Sequence, residues 1–162
     1  MDPVFGFGLA AVQEIVDEFG YIAFPTGPPD SMDWSRFFKL QMAYLLLWSA
    51  IERFSALAYG PSANPMQKLR ALSEDPRFSV ALRRHVSRTF QVTDSRDLEQ
   101  KSLNVELPVE SAEFYYQVRN NLSHRGKGAY LEADNVRESL LELSAIFKDI
   151  LVETEKQKST SL

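Results

Sequence analysis

The sequence predicts an all-α protein built as an antiparallel bundle of four to six helices. Apolar residues recur at three- and four-residue steps in several stretches, and segments containing Pro and Gly separate those stretches. The alternation of apolar and polar residues that is typical of strands is weak throughout. A chain of 162 residues is expected to form one domain, here placed at residues 1–152 and followed by a polar tail at residues 153–162.

The first predicted helix lies near the amino terminus. Between Leu9 and Phe19, apolar residues have the spacing of an amphipathic helix, and Gly20 follows at the expected end. The next segment, PTGPPD, contains three prolines and is expected to form a rigid loop.

The second predicted helix is long and apolar. Ser31 or Asp33 is expected to cap it, and it is expected to end near Tyr59. No charged residue occurs between Lys39 and Glu52, so this part is apolar nearly all round. A helix of this kind is usually buried, which places it at the centre of the predicted fold.

The second half of the chain is predicted to alternate helices and loops. Two short helices are predicted in PMQKLRAL and RFSVALRRHVSRTF, and the polar segment QVTDSRDLEQKSLNVELP is predicted to be a loop. A further helix begins near Val109 and ends at the glycines of HRGKG, which allow left-handed backbone. Asp134 is expected to cap a last helix. The apolar residues of that helix recur at three- and four-residue steps: Val136, Leu140, Leu143, Phe147 and Ile150.

Composition indicates the compartment. The chain has no cysteine, which excludes disulfides and thiolate chemistry and fits a reducing cytosol. Its first residues lack the basic region of a secretory signal, and the longest apolar run, MAYLLLWSAI, is about half as long as a membrane span. We therefore predict a cytoplasmic protein with no membrane partner.

Charge is distributed unevenly along the chain. The net charge is −4, but the segment from Lys68 to Arg96 holds seven bases and three acids. Such a segment either binds a polyanion or forms an ordinary solvated surface. If it binds RNA, Arg83, Arg84 and Arg88 are the residues expected to contact phosphates.

The stretch VRNNLSHRGKG carries the strongest candidate chemistry. On a regular helix Arg119 and Ser123 lie one turn apart, whereas Arg119 and His124 lie about 140° apart around the axis. Because HRGKG indicates a helix end, the Arg119 and His124 side chains can be presented there together. A neutral His accepts and returns a proton near neutral pH, and Arg binds phosphate through a permanently charged fork. The pair therefore suits phosphodiester chemistry, although bases near a helix carboxyl end also simply complement the helix dipole.

Several common catalytic signatures are absent from the sequence. The chain has no GxxxxGK[ST] phosphate loop, no GxGxxG turn, no HExxH and no His/Asp cluster with the spacing of metal ligands. We therefore expect neither a metal nor a cofactor.

Glu52 is a second candidate for a role in the site. Trp48, Glu52, Ser55 and Tyr59 fall on one stripe of the long helix. If this stripe faces inward, Glu52 needs a partner, because an unpaired buried carboxylate is costly. Arg119 is the partner we expect, and the alternative is that Glu52 is simply exposed.

The stretch YYQVRNNLSHRGKG resembles the R-x(4–6)-H motif of the HEPN superfamily. The upstream segment LLLWSAIERF also resembles the long helix of that superfamily, which often carries a Glu. The resemblance covers about residues 32–152. HEPN members are small all-α domains, and many are metal-independent ribonucleases of toxin–antitoxin and phage-defence systems. In many of them a polar residue follows the motif Arg, as Asn120 follows Arg119 here.

The resemblance implies an endoribonuclease in which the RNA 2′-hydroxyl attacks the adjacent phosphorus. The expected catalytic residues are Arg119, Asn120 and His124, with Glu52 and Ser123 in support. Further RNA contacts are expected from two groups of bases, those at the end of the motif and those of the basic segment: Arg125, Lys127, Arg83, Arg84 and Arg88.

The resemblance also has consequences for partners. Each chain offers one motif His, whereas the reaction uses both an acid and a base. A homodimer with two facing motifs is therefore expected, together with a cognate antitoxin or defence-system protein. Some HEPN members only bind RNA or protein, so a non-catalytic HEPN-like binding module is the alternative function.

Overall fold

The computed structural model describes residues 2–60, 64–94, 96–125 and 130–160. In chain order the elements are a π-helical turn (Val4–Gly8), α1 (Leu9–Phe19), α2 (Ser31–Tyr59), α3 (Pro65–Glu74), α4 (Pro76–His85), β1 (Phe90–Thr93), β2 (Gln100–Leu103), α5 (Pro108–Arg125) and α6 (Ala133–Thr160). Within these ranges there are six α-helices and one two-stranded sheet, which confirms the prediction of an essentially all-α helical bundle.

The long α2 is capped by Asp30, and not by Ser31 or Asp33 as the sequence predicted. The Asp30 side chain accepts a hydrogen bond from the Asp33 backbone N–H at 2.8 Å. In return, the Asp33 side chain accepts one from the Asp30 N–H at 3.1 Å. This reciprocal capping box pairs two N–H groups that the start of a helix otherwise leaves without partners.

The centre of the fold is α2, as predicted. Its buried residues include Leu40, Tyr44 and Leu47, none of which is more than 1% exposed. Tyr44 donates its hydroxyl hydrogen to the Tyr115 carbonyl at 2.8 Å and so joins α2 to α5 inside the core. Neither α2 nor any other helix of the described ranges has the length and apolarity that crossing a membrane requires.

Side-chain contacts give the relative direction of α2 and α5. Gln41 donates to the carbonyl of Leu122 near the end of α5. Trp48, farther along α2, packs on Tyr116, which comes earlier in α5. The two helices are therefore antiparallel. The apolar stripe predicted for the last helix is buried in α6: Val136, Leu140, Leu143, Phe147 and Ile150. The α5 residues Phe114, Val118 and Leu122, at four-residue steps, are buried as well.

The segment predicted as a loop between α4 and α5 contains a β-hairpin, so that prediction was wrong. β1 pairs antiparallel with β2, and Phe90 lies opposite Leu103. The predicted second short helix also ends sooner than expected, at His85, because the backbone turns extended at the next residue. Each strand has four residues and buries one apolar side chain, Val92 or Leu103, both 1% exposed. An alternation this short does not stand out in the sequence.

The last helix differs from the prediction at both ends. Asp134 lies inside its first turn and does not act as its cap. The Asp134 side chain accepts hydrogen bonds from the Phe24 N–H and from Arg137, both at 3.0 Å, and so ties the loop before α2 to α6. At the other end α6 continues to Thr160 through the segment predicted as a polar tail, with residues 155–160 exposed.

Candidate functional site

Arg119 and His124 both lie inside α5, which ends only at Arg125. The HRGKG segment predicted a helix end early enough for the two side chains to be presented together. Five residues of a regular helix rotate by about 140°, so the two side chains leave α5 in different directions. One chain alone therefore does not present them on a single helical face.

Arg119 is half-buried and is held by uncharged neighbours. Its guanidinium donates to the side-chain oxygen of Asn120 at 3.2 Å. It also lies 5.7 Å from the centre of the Tyr116 ring, within range of a cation–π interaction. No carboxylate of the described ranges pairs with it. The charge of Arg119 is thus available to an anion from outside the chain.

Ser123 is exposed and has a local role. Its hydroxyl donates to the carbonyl of Arg119, one turn earlier in α5, at 3.2 Å. The bond is to the backbone and does not involve the guanidinium. Ser123 therefore supports the end of the helix and does not position the Arg119 side chain.

Glu52 does not pair with Arg119, contrary to the prediction. Glu52 is half-buried on α2 and makes no hydrogen bond or ion pair within the described ranges. One turn earlier, Trp48 packs edge-on against Tyr116 with ring centres 5.4 Å apart and occupies the contact between the two helices. Arg119 is held through Tyr116 and Asn120 instead.

His124 is exposed and opens onto a surface cavity of about 330 Å³ between α5, α3 and the β-hairpin. We call it the hairpin cavity. Its wall on α5 consists of residues at helical spacing: Glu113, Tyr116, Gln117, Asn120 and His124. The other walls come from α3 and from the hairpin segment: Met66, Leu69, Asp94, Arg96 and Lys101. The motif residues on this face are His124 and Asn120, whereas Arg119 lies outside the wall.

The sequence pattern did not predict the hairpin side of this cavity. Asn121 is 3% exposed and donates its amide hydrogen to the Thr93 carbonyl at 3.0 Å. Gln117 in turn donates to the side-chain oxygen of Asn121 at 3.0 Å. The first bond attaches the end of β1 to α5, and the second, within α5, holds the Asn121 side chain in place. The available signals were a second Asn in the motif and the β-forming residues of FQVT, both too weak to place a strand beside the motif.

Arg83 and Arg84 of the basic segment lie on α4. Arg83 lies 3.4 Å from Glu106, and Arg84 lies 2.7 Å from Asp149. Their side chains are 54% and 61% exposed, so both stay accessible from solvent. Their contact with RNA remains a prediction that this exposure permits.

His85 belongs to the same ion cluster between α4 and α6. Its Nε2 lies 2.9 Å from the Asp149 carboxylate that also binds Arg84. Burial acts to raise the pKa of Asp149, but the contacts with His85 and Arg84 outweigh it, and the pKa is lowered. The second histidine of the chain is therefore engaged in joining two helices.

Arg88 is not exposed for contact with RNA phosphates, contrary to the prediction. Its side chain is 19% exposed and contacts both oxygens of Glu142, at 2.7 and 3.0 Å. It also donates to Asn135 at 2.9 Å and to Ser139 at 3.0 Å. The hydroxyl of Tyr115 donates to the same Glu142 carboxylate at 3.0 Å. The charge of Arg88 is thus engaged in a largely buried network that fastens the segment before β1 to α5 and α6.

Two further expected RNA contacts fall outside the described structure. Arg125 is the last residue of α5, but its side chain is not described, and Lys127 lies between the described ranges. In the part of the chain that is described, no three His, Asp or Glu side chains are grouped closely enough to hold a metal ion.

The candidate site therefore consists of Arg119, Asn120 and His124 on α5, with the hairpin cavity beside the latter two. Comparison of the chain with protein-family models, with curated proteins and with solved structures finds no match.

Proposed function

We propose that this protein is a metal-independent endoribonuclease of the toxin–antitoxin or phage-defence type, as its resemblance to the HEPN superfamily implies. One observation carries the proposal: the end of α5 presents an accessible His and, five residues earlier, an Arg without a carboxylate partner in the described ranges. Seven of the nine other arginines whose side chains are described form ion pairs within the chain. The two that do not, Arg36 and Arg70, lie on α2 and α3 and outside the motif. Arg119 therefore keeps its charge for a phosphate group.

The proposed reaction is a transesterification within the RNA. The 2′-hydroxyl oxygen forms a bond to the neighbouring phosphorus, and the bond from phosphorus to the 5′-oxygen of the next nucleotide breaks. One imidazole takes the proton of the 2′-hydroxyl, and a second, protonated imidazole gives a proton to the leaving 5′-oxygen. Arg119 neutralises charge that develops on the phosphate oxygens. The products are a 2′,3′-cyclic phosphate and a 5′-hydroxyl.

The direction of the side chains favours a site that two chains share. Arg119 and His124 leave α5 in different directions, and each chain supplies one motif His. Phe38 and Met42, one turn apart on α2, are 47% and 66% exposed. Between them lies Gln41, whose side chain bonds to α5 within the motif. This apolar surface beside the motif is where we expect a second copy of the chain to pack.

Incubation of the purified protein with single-stranded RNA in EDTA tests the proposal. We expect cleavage that leaves 2′,3′-cyclic phosphate ends, loss of cleavage in His124→Ala, and no cleavage of DNA of the same sequence, because DNA lacks the attacking hydroxyl. A strict requirement for magnesium, or cleavage of the DNA, would contradict the mechanism.

A non-catalytic RNA- or protein-binding module of HEPN type is the second candidate. The observation that favours it is the freedom of His124, which has no hydrogen-bond partner within the described ranges to fix its ring or its tautomer. A binding module would never cut RNA, and His124→Ala would then behave like the wild type.

A further inference from the structure

We propose that the hairpin cavity binds the base of the RNA nucleotide next to the bond that is cleaved. The inference rests on the proposed function and deepens it by assigning a substrate subsite. His124 and Asn120 both line the cavity, so a base held there belongs to a nucleotide adjacent to the reacting phosphate. The volume of about 330 Å³ lies at the lower end of the range for small-molecule sites.

The charges of the cavity disfavour a phosphate as its occupant. Lys101 lies 3.1 Å from Glu99 and 3.4 Å from Glu113. Arg96 lies 3.6 Å from Asp94. Both cations of the wall are therefore balanced by carboxylates, and a phosphate entering the cavity would meet those carboxylates as well. The phosphate is instead assigned to Arg119, which has no such partner in the described ranges.

The polar groups of the cavity suit the edge of a base. The side-chain oxygen of Asn120 accepts from Arg119, which leaves the Asn120 amide nitrogen to donate. The Glu113 carboxylate, with its side chain 27% exposed, is an acceptor on the same face of α5. A nucleobase edge carries both donors and acceptors, so one base meets both groups.

Apolar groups in the wall complement the faces of the base. Met66 and Tyr116 both line the cavity; Met66 is 48% exposed and Tyr116 is half-buried. Aromatic and apolar side chains of this kind pack against the flat faces of single-stranded bases. Arg119 lies over the Tyr116 ring, so the assigned base and phosphate sites are neighbours.

NMR titration of the ¹⁵N-labelled protein with the four nucleoside 3′-monophosphates, one at a time, tests the assignment without relying on cleavage. We expect at least one nucleotide to shift the amide signals of residues 113–124 together with those of residues 96–101, on the two sides of the cavity. Inorganic phosphate serves as the control and is expected to shift signals near Arg119 but not those of the hairpin. If no nucleotide shifts the hairpin signals, or if phosphate shifts them equally, the assignment is wrong.

Two pairs of variants sharpen the test. Met66→Trp places a large ring in the lining of the cavity, whereas Met32→Trp places the same ring on an exposed position of α2. Glu113→Ala removes the acceptor from the wall, whereas Glu110→Ala removes an exposed carboxylate at the start of α5. We expect both cavity variants to raise the nucleotide Kd about tenfold or more and both controls to leave it unchanged. Circular dichroism spectra that match the wild type would show that all four proteins are folded, and equal Kd values within each pair would overturn the assignment.

The outcome separates this inference from the proposed function. Nucleotide binding in the cavity without RNA cleavage would support the subsite and contradict the ribonuclease. RNA cleavage with wild-type KM in both cavity variants would support the ribonuclease and contradict the subsite. If both hold, the cavity variants raise KM more than they lower kcat, because the base contact is already made in the ground state.

Discussion

Arg88 and Glu142 form a bidentate ion pair with nitrogen–oxygen distances of 2.7 and 3.0 Å. The pair joins α6 to the segment that precedes β1. Only 19% of the Arg88 side chain and 11% of the Glu142 side chain are exposed. Removing one partner of such a pair leaves a charge without compensation in a poorly solvated site. The pair therefore makes Arg88 a determinant of stability, whereas its sequence context suggested RNA binding.

Arg88→Ala is expected to lower the free energy of unfolding by about 3–5 kcal/mol, the range for breaking a buried ion pair. Urea denaturation followed by circular dichroism measures the change. Arg84→Ala is the matched control: its side chain is 61% exposed, so its loss should change stability by no more than about 1 kcal/mol. Equal effects of the two substitutions would show that the Arg88 network does not stabilise the fold.

A second prediction concerns stability in acid. Asp75 accepts hydrogen bonds from Arg77 at 2.6 Å and from the Tyr59 hydroxyl at 2.5 Å. Burial acts to raise the pKa of Asp75, but these bonds outweigh it and hold the pKa below the ordinary value of 3.8. A pKa lowered by folding stabilises the protein above the unfolded pKa, and this stabilisation is lost as the pH falls through the folded pKa.

We therefore expect Asp75→Asn to be less stable than the wild type at pH 7, with the difference shrinking below pH 3.8. Urea titrations across this pH range measure it. Asp17→Asn, on the exposed face of α1, is the control and should show little difference at either pH. A constant difference between Asp75→Asn and the wild type at all pH values would contradict the linkage.

The motif variants should separate catalysis from binding. His124→Ala is expected to lower kcat by about 10²–10⁴, because acid–base transfer acts on the reacting atoms, and to weaken RNA binding less than Arg119→Ala does. Arg119→Ala should lose turnover and some affinity, because a guanidinium meets phosphate in both the ground and transition states. Single-turnover kinetics and fluorescence anisotropy with labelled RNA measure the two effects. Equal losses of affinity in both variants would favour the binding module.

Mixing of subunits tests whether two chains share the site. After exchange with an excess of inactive His124→Ala protein, most wild-type chains reside in mixed dimers that carry one motif His. Wild-type activity should then fall well below the value expected from dilution alone, because the reaction uses two imidazoles. Ultracentrifugation should also show a dimer at micromolar concentration. Unchanged activity per wild-type chain, or an active monomer, would contradict the shared site.

The exposed arginines of α4 give the last prediction. Replacing Arg83 and Arg84 together by Ala should weaken RNA binding and reduce its salt dependence by roughly one unit per lost phosphate contact. Turnover at saturating RNA should be mostly kept, since neither residue lies on α5. Binding isotherms at several salt concentrations provide the slope. A salt dependence of binding equal to that of the wild type would show that Arg83 and Arg84 do not contact RNA phosphates.

Local sequence patterns determined the helical fold. The apolar spacing of α1 and α6 and the nearly all-round apolarity of α2 predicted helices that the structure confirms, because a helix buries its apolar face whatever it packs against. The same patterns placed the Arg119–His124 stretch near the end of α5. These features depend on residues within a few turns of one another, so the sequence contains the information directly.

Contacts between distant segments decided the rest. Asn121 holds Thr93 across 28 positions of sequence, and this brings a hairpin with little pattern of its own to the side of His124. Glu142 holds Arg88 across 54 positions and so withdraws it from the surface, whereas Glu52 lacks the Arg119 contact that its helical stripe suggested. Whether an arginine pairs within the chain, faces solvent or is available to a ligand depends on which carboxylates the folded chain brings within reach. That choice depends on the packing of whole helices, which is why the tertiary structure alone fixed it.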